Sequence, residues 1–261
     1  VTALRVGVFG AGRLGGAIAA EAQAQGALAW NVTRQAPPDG PLDAAIEATV
    51  AAAVEARLTW ALGRGVPLII GTTGWSIPDL RERVGDRIGV VLAPNFSLGV
   101  ALVARLTRVL AGFAALDPTR DPYVLEHHHA RKHDAPSGTA KMLARAVLEG
   151  CPRKTEWTLG GPVAPHQLSV GVLRAGATYS SHTVGVDSPG EVVEVHHAAR
   201  SAAVFAQGAL AAARWVQGRR GVFSMDDVSH DLLEPLFKVS VAAPSRQEGA
   251  AGCAATPGAK T

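Results

Sequence analysis

Ala3-Leu4-Arg5-Val6-Gly7-Val8-Phe9-Gly10-Ala11-Gly12-Arg13-Leu14-Gly15-Gly16 opens the chain with an apolar run and a set of spaced glycines. The run reads as a buried strand, and Ala17 to Ala24 reads as a helix that stops near Gly26. Strand, glycine turn and helix together are the context in which GxGxxG binds a dinucleotide. Gly10 permits the tight turn, Gly12 lets backbone approach a pyrophosphate, and Gly15 lets the helix pack close to the sheet. The helix N-terminus then offers free N–H groups and the positive end of its dipole. Gly10, Ala11, Gly12, Arg13, Leu14 and Gly15 are therefore candidate cofactor residues.

A second strand, Ala27 to Val32, ends in Thr33-Arg34. An NAD-selective site usually has a carboxylate there to bond the ribose hydroxyls, and this end has none. A guanidinium forks onto a 2′-phosphate that an acid would repel. The cofactor is thus NADPH or NADH, with NADPH favoured; the alternative is that Arg34 is a solvated loop residue. The alternation goes on through a weak strand at Leu42–Ala48, a helix at Thr49–Leu62, a strand at Val66–Ile70, a short helix at Pro78–Arg83 and a strand at Ile88–Ala93. Repetition of this kind predicts an α/β fold with a Rossmann-like, doubly wound parallel sheet. Ligands lie beyond the carboxyl ends of such strands. That adds Gly71-Thr72-Thr73-Gly74 and Ala93-Pro94-Asn95-Phe96-Ser97 to the glycine loop. Thr72 and Thr73 read equally well as ordinary turn residues.

The 261 residues are 48% hydrophobic, enough for one or two domains with a real core. A formal charge of +3, with scattered Lys and Arg, gives no nucleic-acid footprint. The cysteines, Cys151 and Cys253, support neither a disulfide framework nor a Cys-based metal site, so a cytoplasmic setting is the default expectation. There is no signal-peptide pattern and no uninterrupted apolar run of membrane-spanning length, so no membrane association is expected.

A long apolar helix at Leu98–Leu116 leads through a strand at Asp121–Leu125 into Glu126-His127-His128-His129-Ala130-Arg131-Lys132-His133-Asp134-Ala135-Pro136-Ser137-Gly138-Thr139-Ala140. Neighbours on a strand alternate faces, so His127 and His129 would share one face and His128 the other, unless the strand has already turned. The histidine spacing is unlike HExxH and no cysteine assists, so no metal is expected. Pro136 to Thr139 presents a helix N-terminus suited to a carboxylate. Lys132 supplies a mobile cation and a proton.

This stretch resembles the signature of the 4-hydroxy-tetrahydrodipicolinate reductase (dihydrodipicolinate reductase) family. Gly71 to Gly74, Ala93 to Val100, Arg174-Ala175-Gly176 with His182-Thr183, and Phe205-Ala206-x-Gly208-Ala209 resemble further motifs of that family in the same order. The resemblance covers roughly residues 4–236. It implies reduction of a cyclic dicarboxylic imine, or its hydrated form, with a nicotinamide cofactor on the path to diaminopimelate and lysine, by a homotetramer. It implies proton transfer by His128 and Lys132, and substrate contacts from His129, Lys132, Ser137, Gly138, Thr139 and Thr73. Gly10–Gly15, Thr33, Arg34, Gly71, Thr72, Thr73, Ala93, Pro94, Asn95 and Phe96 match the cofactor stretches. His127 and His133 read as bystanders. The chain departs from the pattern in a glycine loop one residue shorter, in Glu47-Ala48-Thr49 where an Asp-Phe pair is usual, and in Ser180-Ser181 before His182. The competing readings are a nucleotide sensor without catalysis and a dehydrogenase of another small dicarboxylate.

The remaining strands, Leu168–Leu173, Ala177–Val186 and Glu191–Ala198, predict a second α+β domain with an open mixed sheet, preceded by a Gly- and Pro-rich loop over Gly150–His166. A helix at Ser201–Gln217 returns to the cofactor domain, with Val222–Val228 closing it. The expected division is residues 1–98 with 203–236 for the dinucleotide, residues 99–202 for substrate and oligomerisation, and a mostly disordered tail over 237–261.

Overall fold

The computed structural model describes residues 4–238. The first layer system holds β1 (Val6–Phe9), β2 (Leu28–Val32), β3 (Ala44–Glu47), β4 (Leu68–Ile70) and β5 (Gly89–Leu92), with α1 (Arg13–Ala24), α2 (Val54–Arg64) and α3 (Leu80–Val84) between them. A sixth strand, β11 (Gly221–Ser224), joins at the edge, giving the order β11-β5-β4-β3-β1-β2. Every pairing in this sheet is parallel. Strands covered by helices on both faces must be apolar throughout, and β1, β3 and β4 are buried at every residue. The strand order reverses between β1 and β3, which places the ligand crevice at their carboxyl ends.

The second sheet has the order β10-β9-β6-β8-β7, built from β6 (Asp121–His128), β7 (Glu156–Leu159), β8 (Gln167–Arg174), β9 (Ser180–Ser188) and β10 (Glu191–Ala199). It is mixed: β8 runs parallel to β6 and β7, whereas β9 runs antiparallel to β6 and β10. Two helices, α4 (Leu98–Ala115) and α5 (Gly138–Gly150), cover one face. Their apolar sides share a core with Val124, Leu168, Val170, Val184 and Val186. By length and composition α4 would suffice for a membrane span. Here Val103, Ala104, Leu110, Ala111 and Ala114 are spent on that core, and Arg105 pairs with Glu234 at 3.0 Å.

The chain then returns. Helix α6 (Ala203–Trp215) lays Ala206, Ala209, Leu210 and Ala213 against Val6 and Val8 of the first sheet and Ile18 of α1, and α7 (Met225–Phe237) adds Met225 and Val228. Gly208 is required by close approach, because a Cβ there would lie 1.7 Å from the Phe96 carbonyl oxygen.

Several sequence expectations need correction. The supposed loop over Gly150–His166 contains β7, an edge strand, and is anchored by buried Lys154, whose ammonium reaches the carbonyls of Pro165 (3.0 Å) and Gln167 (2.8 Å). Val222–Val228 divides into β11 and the start of α7, because Ser224 and Asp227 form a reciprocal capping box. The helix therefore runs through Phe237, inside the range expected to be disordered; the rest of that tail, 239–261, lies outside the described residues.

Candidate active site

The glycine loop sits at the crevice between β1 and β3. Gly10 has φ +115°, and a Cβ there would lie 2.3 Å from the Ala48 carbonyl oxygen. A Cβ on Gly15 would lie 2.4 Å from the Gly10 carbonyl oxygen, so this glycine serves the close fit of α1 on the turn. Gly12 differs: a Cβ there would meet nothing within 4 Å. The first turn of α1 has no side-chain cap and no acidic residue. An open cradle in front of uncapped N–H groups is what a pyrophosphate needs.

Beyond β2, Thr33 and Arg34 are exposed. A second guanidinium stands beside them that sequence reasoning missed. Arg57 of α2 donates to the Thr33 carbonyl at 3.0 Å and lies 4.3 Å above the Phe9 ring. Glu47, one of the departures from the family pattern, is turned into the protein. Its wholly buried carboxylate accepts from the Thr49 amide at 2.7 Å, the Thr49 hydroxyl and the Thr72 hydroxyl at 3.0 Å, so it ties two crevice loops together. The Thr72 hydroxyl hydrogen is thereby given to Glu47, which leaves its oxygen lone pairs and backbone for a ligand.

Two cavities open along the seam between the sheets. One, of about 330 Å³, is lined by Arg13, Leu14, Gly71 and Ala93 to Phe96, all expected from sequence, together with Tyr179, Ala202 and Phe205, which were not. The other, of about 1310 Å³, is lined by His128, His129, Lys132, Ser137, Gly138 and Thr139 as expected. Arg13, Pro94, Asn95, Tyr179 and Phe205 line both, so the two cavities share a wall. Thr73 is exposed and lines neither, so the structure does not bring it to the other substrate candidates. His127 does stand apart, with Nε2 3.0 Å from the Ala175 carbonyl. His133, expected to be a bystander, is exposed on the wall of the larger cavity.

The histidine-rich stretch begins on a strand and leaves it after His128. Period-two alternation buries Val124, Glu126 and His128 on one face of β6. The Glu126 carboxylate is the hub. It accepts from Arg174 Nη2 at 2.5 Å and from the Ser137 amide at 3.1 and 3.2 Å, and it stands 3.6 Å from both His128 Nδ1 and His182 Nε2. Burial opposes its charge, but hydrogen bonds from His182, Ser137 and Arg174 outweigh that and hold the carboxyl far below the usual range. For His128 burial dominates and lowers the imidazole to about 4, against the attraction of Glu126. His128 is therefore neutral at neutral pH. Lys132 pairs with Asp134 at 2.7 Å, and this ammonium holds the Asp134 carboxyl below its ordinary value.

Ser137 caps α5, its hydroxyl accepting from the Ala140 amide at 3.1 Å. Its own amide is taken by Glu126, so the Gly138 and Thr139 amides are the ones left to a ligand, not that of Ser137. The sequence reading missed Glu126, Arg174 and His182 as site residues, although all three stand in motifs it singled out. The shared face of Glu126 and His128 was legible from alternation; the approach of His182 depends on the pairing of β9 with β6.

Comparison with known proteins agrees with this geometry. A family model described as dihydrodipicolinate reductase, N-terminus, matches residues 29–96, and its C-terminus counterpart matches residues 99–228. The 4-hydroxy-tetrahydrodipicolinate reductase of Thiobacillus denitrificans is 42% identical over 175 residues, 63% of this chain and 64% of that one. The chain thus spans a little under two thirds of that relative. The protein of the same name from Zymomonas mobilis is 35% identical over 249 residues, 87% of this chain and 97% of that one. Among solved structures, a dipicolinate-bound dihydrodipicolinate reductase from Paenisporosarcina sp. TG-14 superposes with a TM-score of 0.69 at 19% identity, over 85% of this chain and 98% of that one. At that identity the likeness speaks for the fold.

Proposed function

This chain belongs to the dihydrodipicolinate reductase family, and from that premise we propose that it reduces 4-hydroxy-tetrahydrodipicolinate (or the dihydrodipicolinate formed from it by loss of water) to tetrahydrodipicolinate, with NAD(P)H, in diaminopimelate and lysine biosynthesis. One observation carries the reading. The cavity holding His128, Lys132 and the N-terminus of α5 lies next to the one lined by Arg13, Leu14 and Ala93–Phe96, and the two share five wall residues.

Reduction of a C=N or conjugated C=C bond takes a hydride and a proton, and a bound nicotinamide supplies the hydride. The open cradle at Gly12 and the uncapped start of α1 would hold its pyrophosphate. Leu14, Gly71, Pro94 and Phe96 line the smaller cavity, where backbone and apolar walls suit a nicotinamide ring. Gly138 and Thr139 amides, with the positive end of α5, receive a substrate carboxylate, and His129 stands on the same wall. Lys132 carries the proton that is delivered. His128 is neutral before substrate arrives, and a dianion beside it raises its proton affinity, so that it joins the transfer. The test follows NADPH oxidation by absorbance, with substrate generated by the preceding synthase. Wild type turns over and Lys132→Ala loses most of its kcat. Equal rates defeat the proton role, and an inactive wild type defeats the function.

NADPH is the preferred donor in this reading. Arg34 is free at the end of β2, and Arg57 fixes the neighbouring Thr33 carbonyl. Arg34→Ala should raise KM for NADPH about tenfold, a loss near 1.4 kcal/mol, and leave NADH little changed. An unchanged preference would refute the assignment. Assembly as a homotetramer completes the proposal: the face of the second sheet away from α4 and α5 exposes Leu125 and Leu173, side chains that an interface would cover.

A further inference from the structure

We infer that Glu126 is a positioning residue of the reaction: its buried carboxylate takes the Nδ1–H of His128, fixing the tautomer whose Nε2 lone pair faces the substrate cavity, and the same group ties down the start of α5. The inference rests on the reductase reading for its consequence but not for its geometry.

Glu126 is wholly buried at the side chain. A carboxylate removed from water persists only when its lone pairs are occupied. One oxygen accepts from Arg174 Nη2, which is itself held by the Asp134 carbonyl at 2.6 Å, and from the Ser137 amide at 3.1 Å; the same amide is shared with the second oxygen at 3.2 Å. The other faces His128 Nδ1 and His182 Nε2, each at 3.6 Å. His128 Nδ1 is buried with no hydrogen-bond partner. Among the described residues Glu126 is the acceptor set against it, and a small ring movement of the kind that accompanies substrate binding closes the gap. The proton on His128 therefore sits on Nδ1, and Nε2 is left as the working nitrogen of a ring that lines the cavity.

The neighbouring tautomer agrees. His182 Nε2 lies 3.2 Å from the Ser137 hydroxyl, and its Nδ1 lies 3.5 Å from the Ser180 hydroxyl. A proton on His182 Nε2 serves both Ser137 and Glu126, while Nδ1 accepts from Ser180. The groups facing His128 are Glu126 on its own strand, His182 on β9, Arg174 on β8 and Lys132 on the following loop. Arg174 and Lys132 are cationic. Glu126 is the group of these four that favours a proton on His128, so without it the protein itself offers the imidazolium no counter-charge. The division of labour is the one by which a buried carboxylate sets the tautomer of a catalytic histidine and stabilises its charged form.

Glu126→Gln separates this role from packing. Arg174 and the Ser137 amide both require an acceptor, so the Gln carbonyl takes that side. The Gln amide NH₂ then faces both His128 Nδ1 and His182 Nε2 and donates to them, which moves the His128 ring proton to Nε2 and the His182 proton to Nδ1, toward the Ser180 hydroxyl. Nitrogen-15 NMR of the His128 ring should show the Nδ1–H tautomer in wild type and the Nε2–H tautomer in the variant. In the variant kcat should fall at least about a hundredfold, with cofactor Kd within twofold of wild type. The double variant with His128→Ala should be no slower than His128→Ala alone. A wild-type ring protonated on Nε2 overturns the inference without any variant, and so does an unchanged tautomer or kcat in Glu126→Gln. A fall in cofactor affinity that tracks the loss of kcat overturns it too, since that marks a general structural role. Failure of the reductase reading is distinct, because it shows as an inactive wild type whatever the tautomer.

Discussion

Gly12→Ala separates binding from folding at the glycine loop. Gly12 has φ −69° and ψ −171°, a conformation open to any residue, and a Cβ there meets nothing within 4 Å. Replacing Gly by Ala at a compatible backbone stabilises by about 0.4–1 kcal/mol through the unfolded chain. Gly12 is also the N-cap of α1, a position where Ala is worse than Gly by a similar amount, roughly 0.5–1 kcal/mol. The two effects nearly cancel, so Tm without ligand should stay within about 2 °C of wild type. The added methyl lies where the pyrophosphate must approach. Overpacking of that kind costs about 1–3 kcal/mol, a Kd for NADPH and NADH raised about 5- to 150-fold. Direct fluorescence titration gives Kd and differential scanning fluorimetry gives Tm. Gly15→Ala is the contrast, because its Cβ would lie 2.4 Å from the Gly10 carbonyl and Tm must fall. A Gly12→Ala protein that melts several degrees lower would show that the cradle is not open. An unchanged Kd would show that the phosphates lie elsewhere.

Gly208→Ala would set a Cβ 1.7 Å from the Phe96 carbonyl oxygen, a backbone atom that cannot swing aside. The α6 helix must shift, and the urea midpoint should drop by the equivalent of about 3 kcal/mol; a wild-type midpoint would contradict the packing. Acid should act through His128: folding holds its imidazole down to about 4, so the unfolded chain binds the proton first. Stability is full above the unfolded value near 6.5 and is lost as pH falls toward 4, on the order of 2 kcal/mol between pH 7 and pH 5. Glu126, held low, adds a further loss as it protonates below its unfolded value. His128→Gln should lose that much less over the same interval in parallel urea titrations, and identical slopes would refute the assignment.

What was legible in the sequence was local. The strand, glycine turn and helix at Val6–Ala24 are specified by neighbours within a few residues, and so is the cap of α5 by Ser137. The capping box at Ser224 and Asp227 was equally local, but Val222–Val228 was read only as closing the cofactor domain, which left the start of α7 unread. What was not legible depends on register. His182 reaches Glu126 because β9 pairs antiparallel with β6 at that residue, and Arg174 arrives on the other side because β8 runs parallel to it. No spacing along the chain encodes those partners. Glu47 depends on packing as well: it stands at the end of β3, and its buried carboxylate draws Thr49 and, from a separate loop, Thr72.

In the proposed reaction one short connection sets the separation between hydride and proton. The loop from Ala93 to Ser97 forms a wall of the smaller cavity, and Pro94 and Asn95 also line the larger one. Asn95 accepts from the Ser97 amide at 2.9 Å, and the Ser97 hydroxyl accepts from the Val100 amide at 3.1 Å, which starts α4. Helix α4 then packs on α5 and on the second sheet, the two elements that carry Glu126, His128 and the carboxylate clamp. On the other side, the Phe96 carbonyl lies against Gly208 of α6, within the first core. The loop is therefore pinned to both cores at once. A substitution that slackens it moves the nicotinamide wall relative to the proton donors while leaving each half of the site intact. Its signature is a fall in kcat with cofactor Kd preserved, the opposite of the pattern expected at Gly12.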